Sequence, residues 1–177
     1  MDKCLVMIIK ENKNSSKDFN ALDKAIRLYV RNISKSSRFE FDSDKITYLN
    51  FFENKLLLVH AIRHGLPYQL FNRIKELTPF LEDDWTEYLN ISKKTLQRYS
   101  SDENHFFKSI HTEKIIEIAE VTIFGNKVFD STEQFYLWLK TPSHALGNLK
   151  PLELLKDSYG KEMVMAELNR IEHGIFA

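Results

Sequence analysis

The sequence predicts a mainly α-helical protein, a helix-turn-helix domain followed by a small helical C-terminal domain. Three observations carry this. Apolar residues recur at helical spacing through most of the 177 residues. The 5 glycines and 4 prolines stand singly, at points where such runs begin or end. Between Glu82 and Ser101 two short amphipathic runs are joined by a turn of only a few residues.

Composition narrows the function. Lys and Arg number 25, as do Asp and Glu, for a formal net charge of +0. No global field therefore draws the molecule to nucleic acid or membrane, and any DNA contact has to come from a local cluster or from a symmetric dimer. The single cysteine, Cys4, forms no internal disulfide, and no metal-type cysteine pair exists. The glycines make no phosphate-cradling loop, and no nucleophile elbow or metal motif is visible, so neither an enzyme nor a cofactor is expected. The apolar run Cys4–Ile9 is too short to span a membrane and lacks a secretory cleavage pattern, which leads us to expect a soluble cytoplasmic protein.

The chain opens with that apolar run, which is compatible with a short N-terminal β-strand, followed by a polar linker over Lys10–Lys17. Leu22, Ala25, Ile26, Tyr29 and Ile33 then mark a surface helix whose basic residues are offset by Asp18 and Asp23. Ile46, Leu49, Phe52, Leu56, Val59 and Ile62 predict one long helix from Lys45 to His64, stopped by Gly65 and Pro67. His60 and His64 share a face of it, but with no third ligand in sight ordinary packing is the better reading. Leu70, Phe71, Ile74 and Leu77 predict a further helix ending before Pro79.

In the helix-turn-helix stretch, Glu82, Asp83 and Asp84 favour a helix N-terminus, Asn90 suits a left-handed turn position, and Ser92 caps the second helix. Trp85, Leu89, Ile91 and Leu96 are expected to form the small core between the two helices. Lys93, Lys94, Gln97 and Arg98 then face outward, carrying the side-chain types that contact phosphates and purine edges in the major groove. Asp102 and Glu103 follow at once, and residues 65 to 130 hold 8 basic against 11 acidic residues. From His111 to Phe124 a helix is apolar on two sides, Ile115, Ile118 and Thr122 on one and Ile116, Ala119 and Ile123 on the other, and so needs cover from more than one neighbour. Beyond it, Ser131 with Gln134 three residues on starts a helix carrying Phe135, Trp138 and Leu139 up to Pro142. Pro151 starts the next helix. From Gly160 a third places Val164, Leu168 and Ile171 on one stripe, Gly174 suits its left-handed C-terminal position, and Ile175, Phe176 and Ala177 follow as an apolar tail.

Phe124-Gly125, Trp138-Leu139, Thr141-Pro142, Leu146-Gly147, Pro151-Leu152, Leu154-Leu155, Gly160 and the run from Arg170 to Gly174 together resemble the C-terminal toxin-binding domain of the Xre/MbcA/ParS antitoxins, over roughly a third of the chain. Arg63, Gly65 and Leu66 resemble the helices that precede the DNA reader in Xre-type antitoxins, and Ser92, Thr95, Leu96 and Arg98 resemble the reader itself, with Thr86 and Asn90 where that family favours alanine and glycine. The resemblance implies an Xre-like order of domains, a helix-turn-helix domain over 45–118 and a toxin-binding domain over 119–177; the N-terminal extension over 1–44 lies outside it. It implies an antitoxin of a type II toxin-antitoxin system that neutralises a RES-domain, NAD-consuming toxin by blocking its active site. Autorepression of its operon would run through operator contacts from Ser92, Lys93, Lys94, Thr95, Gln97 and Arg98. The toxin contacts it implies are Trp138, Arg170, His173, Gly174, Ile175, Phe176 and Ala177. Burying Ile175 and Phe176 in a partner would contribute roughly 1.5–3 kcal/mol each. A homodimer is expected, both for reading two half-sites and for covering the doubly apolar helix. The alternative is a stand-alone helix-turn-helix transcriptional regulator without a toxin partner.

Overall fold

The computed structural model describes residues 3–36, 39 and 41–175, with side chains from Phe19 onward except that of Ser36. Among these residues the regular structure is all helical, with two isolated β-bridges and no strand. No helix among them is long and apolar enough to cross a membrane. The chain divides into two compact units, Met1–His64 and Gly65–Ala177.

The first unit is built on α1 (Lys3–Ser36), which packs with α2 (Tyr48–Glu53) and α3 (Lys55–His64). The strand expected over Cys4–Ile9 and the linker expected over Lys10–Lys17 are both turns of α1. An isolated strand has no partner to complete its hydrogen bonds, a helix supplies its own, and neither glycine nor proline occurs before Gly65 to break the run. Leu22, Ile26, Tyr29, Val30 and Ile33 are the buried face of α1. Three polar groups tie it to the rest of the unit. Asp23 accepts from the Tyr48 N–H at 2.7 Å, Arg27 Nε donates to the Ile46 carbonyl at 3.0 Å, and the Tyr29 hydroxyl donates to the Ala61 carbonyl at 3.1 Å.

The single helix expected from Lys45 to His64 is two. Asn54 ends α2, and its side chain accepts from the Leu57 N–H at 3.0 Å, restarting the helix as α3. The interruption resets the helical phase. Leu57, Leu58 and Ala61 turn inward, while Leu49, Leu56 and Val59, expected in the core, are 52%, 47% and 41% exposed. His60 packs edge-on against Phe39 and Phe41, and His64 lies beside Tyr29.

The second unit holds α4 (Tyr68–Glu76), α5 (Glu82–Tyr88), α6 (Lys93–Ser100), α7 (Ser109–Val128), α8 (Thr132–Lys140), a 3-10 turn (His144–Leu146), α9 (Pro151–Leu154) and α10 (Ser158–Glu172). Phe71, Phe80, Trp85, Tyr88 and Phe107 form an aromatic core for α4 and α5, the Phe71 and Trp85 rings meeting edge to face at 5.1 Å. The Leu66 and Phe107 backbones are joined at 2.8 Å, and Thr112 of α7 donates to the Phe107 carbonyl while accepting from the Leu66 N–H.

Helix α7 runs unbroken through residues 118 and 119, where a domain boundary was expected. Ile115, Ile116, Ile118, Ala119, Val121 and Thr122 are all buried, and its chief neighbours are α10 and α8. The cover for which a second copy was invoked comes from this chain itself. A part-buried ion pair and a hydrogen bond fix α7 to α10: Lys161 meets Glu120 at 2.8 Å, and the Ser158 hydroxyl donates to Glu117 at 2.8 Å, while Glu117 also takes Lys114 of its own helix at 2.6 Å.

Candidate functional site

Two surfaces of the second unit carry the residues singled out by sequence. The first is the helix pair α5–α6. Leu81 N–H donates to Asp84 at 2.8 Å, and three acidic residues occupy the first turn of α5, where unpaired backbone N–H groups favour negative charge. The helix closes with Asn90 at φ +50°, the Asn90 N–H on Glu87 and the Ile91 N–H on Thr86, the paired bonds of a Schellman turn. Asparagine tolerates the left-handed conformation there because its short polar side chain bonds locally. Thr86 fits beneath the crossing by directing its hydroxyl to the Asp83 carbonyl at 2.9 Å. Trp85, Leu89 and Leu96 are buried as expected, and Ile91 is half-buried.

Ser92 caps α6 by accepting from the Thr95 N–H at 3.1 Å, and the two hydroxyls meet at 2.9 Å. These two side chains are spent on the helix start. Lys93, Lys94, Gln97 and Arg98 project from one exposed face. Lys93 is not free on it, because its ammonium pairs with Asp83 of α5 at 2.5 Å, which also raises its pKa above the ordinary lysine value. The pairing of Asp83 with Lys93 is what sequence reading missed: the two lie ten positions apart across the turn, beyond the reach of any helical periodicity. Arg98 sits 5.6 Å from the Tyr99 ring, which stacks at 3.6 Å on His105. Burial holds the His105 imidazole below its ordinary pKa, with Arg98 acting in the same direction against Asp102.

The second surface is formed by α8, α9 and α10. Ser131 caps α8 by accepting from the Gln134 N–H at 3.2 Å. Trp138 is half-buried with its ring against Phe129 and Phe135, so it belongs largely to the local core. Gly125 of α7 is where Phe135 seats: a β-carbon there would lie 2.3 Å from the ring. Gly160 serves the same end for α9, since its β-carbon would meet the Leu154 carbonyl oxygen at 2.0 Å. Helix α10 starts two residues earlier than expected, at Ser158, with Asp157 as its cap. It ends in a second Schellman turn, Gly174 at φ +67° and the Ile175 N–H on the Arg170 carbonyl at 2.9 Å.

Residues 125–174 match the family model of the antitoxin Xre/MbcA/ParS C-terminal toxin-binding domain. No curated protein matches the chain. The toxin-binding match opens on Gly125 and closes on Gly174, so its first residue seats Phe135 and its last ends α10. Within it, Arg170 pairs with Glu167 at 3.2 Å on its own helix, and His173 Nδ1 lies 2.8 Å from the Asn169 carbonyl. Arg170, His173, Gly174 and Ile175 cluster at the end of α10, with Ile175 57% exposed; Trp138 stands apart on α8. Phe176 and Ala177 lie outside the described residues.

The two surfaces meet through α5. The Tyr136 hydroxyl of α8 donates to Asp84 at 3.3 Å, the Tyr88 hydroxyl donates to the Leu152 carbonyl at 3.3 Å, and Lys156 pairs with Glu87 at 2.8 Å.

Proposed function

We propose that this protein is an antitoxin that binds and neutralises a RES-type, NAD-consuming toxin through residues 119–177. The observation that supports this is the match of residues 125–174 to an antitoxin toxin-binding domain, on a segment in which Gly125 seats Phe135, Gly160 admits the Leu154 carbonyl and Gly174 closes α10. In this reading Arg170, His173, Gly174, Ile175, Phe176 and Ala177 approach the toxin's active-site cleft, with Trp138 holding α8 in place behind them. The reader helix α6 represses the antitoxin's own operon, with Arg98, Gln97 and Lys94 directed at the major groove and Ser92 and Thr95 fixing the helix start.

The test is co-expression with the reading frame adjoining this gene. The expected result is an adjacent product carrying the Arg, Glu and Ser active-site pattern of RES toxins, which arrests growth and depletes NAD when expressed alone, co-purifies with this chain, and is harmless in its presence. An adjacent product without that pattern, or growth arrest that this chain does not relieve, overturns the reading and leaves a stand-alone regulator.

A further inference from the structure

The outward stripe of α10 has no partner within the described part of the chain. Tyr159, Met163 and Ala166 recur at i, i+4 and i+7 on the side opposite Gly160, Val164 and Leu168, which are buried. Tyr159 is 83% exposed and Met163 45% exposed. The other six tyrosines are all buried or half-buried, so exposure at Tyr159 is a departure from how this chain treats the residue. A single surface hydrophobe is ordinary; a tyrosine and a methionine in register along one helix face, with an exposed Ile175 just past its end, are not scattered singly.

The helix that presents them is rigidly held. Asp157 caps it by accepting from the Gly160 N–H at 2.7 Å, Ser158 and Lys161 anchor it on Glu117 and Glu120 of α7, and the Gly174 turn closes its end. The backbone of such a helix is ordered before any partner arrives, so little further backbone entropy is lost on binding. An apolar i, i+4, i+7 row is the pattern by which a helix lies in a hydrophobic groove, and aromatic anchors dominate the energetics of such contacts. The stripe lies wholly inside the segment that matches a toxin-binding domain.

We infer that the outer stripe of α10, Tyr159, Met163 and Ala166, seats in an apolar groove on the toxin's surface, with Tyr159 as the anchor. This contact is separate from the cleft approached by the residues after Arg170, and it rests on the toxin-binding reading above.

The experiment uses the full chain and the purified product of the adjoining reading frame as probe, with affinity measured by calorimetry. The variant Tyr159→Asp, Met163→Glu puts charge on the stripe while keeping residues suited to an early helical position, so its melting temperature should match wild type. Ile110→Asp, at a 70% exposed position outside the matched segment, is the control. We expect the double variant to bind the toxin roughly a hundredfold or more weaker and the control to bind as wild type. If wild type binds and the double variant, folded, binds within about threefold of it, the stripe is not the contact although the antitoxin reading stands. If the double variant instead loses self-association in light scattering while toxin affinity holds, the stripe belongs to a second copy and the inference is overturned. If wild type binds no toxin, the functional reading fails and the inference with it.

Discussion

At the scale of single residues, the turn between α5 and α6 depends on Asn90. Its φ of +50° lies where a β-carbon costs an ordinary residue about 1–2 kcal/mol, a penalty that asparagine reduces by local bonding and glycine avoids. Asn90→Ala should therefore lower stability by about 1 kcal/mol and Asn90→Gly should leave it unchanged or slightly raised, as read by urea unfolding. A larger loss with glycine than with alanine would mean the side chain, not the backbone, is what the turn requires. This residue was legible in the sequence because its signals are local: an asparagine one residue past a helical run, with a serine cap two residues later. The glycines at 125 and 160 were legible only as a resemblance. Their cause is contact with Phe135 and with the Leu154 carbonyl, and which atoms come close is a property of the fold.

At the scale of elements, local signals placed nearly every helix, and the errors came where they are ambiguous. A six-residue apolar run reads equally as strand or helix, and Cys4–Ile9 resolved as helix because nothing interrupts the run. Asn54 was invisible as a break because apolar residues continue past it, yet its cap bond shifts the phase of everything after it and leaves Leu56 and Val59 outside the core. Helix α6 shows the same limit in electrostatic form. Periodicity identified the outward face of α6, but only the fold brings Asp83 to Lys93. That pair cancels one positive charge at the helix start, on a face already followed by Asp102 and Glu103. Asp83→Asn should therefore strengthen binding to DNA from upstream of the gene and steepen its salt dependence by about one phosphate contact, while Arg98→Ala should weaken it by about 1–3 kcal/mol. Electrophoretic shifts over a salt series measure both. Unchanged binding in both variants would remove α6 from the DNA interface.

At the scale of the whole molecule, charge and symmetry decide how a reader of this kind acquires affinity. With 25 basic and 25 acidic residues there is no long-range attraction to a polyanion, so binding to DNA, as proposed, would rest on the few cations of α6. One such helix contacts a handful of phosphates and three or four base edges, which yields weak and salt-sensitive binding. Two copies related by a twofold axis place two readers on half-sites about one helical turn apart, and each contact then counts twice for a single loss of translational freedom. Twofold reading of DNA is the one remaining reason for a dimer, because α7, the helix expected to need a second copy, is buried within its own chain. It also makes the dimer a property to be measured in the presence of DNA as well as without it. Light scattering should return twice the 20.9 kDa chain mass at micromolar concentration, and the complex with a palindromic operator should contain two chains per duplex. A single chain per duplex, with affinity no greater than for unrelated DNA, would show that the helix pair α5–α6 serves the second unit as scaffold, held through Asp84, Glu87 and Tyr88 against the toxin-binding helices.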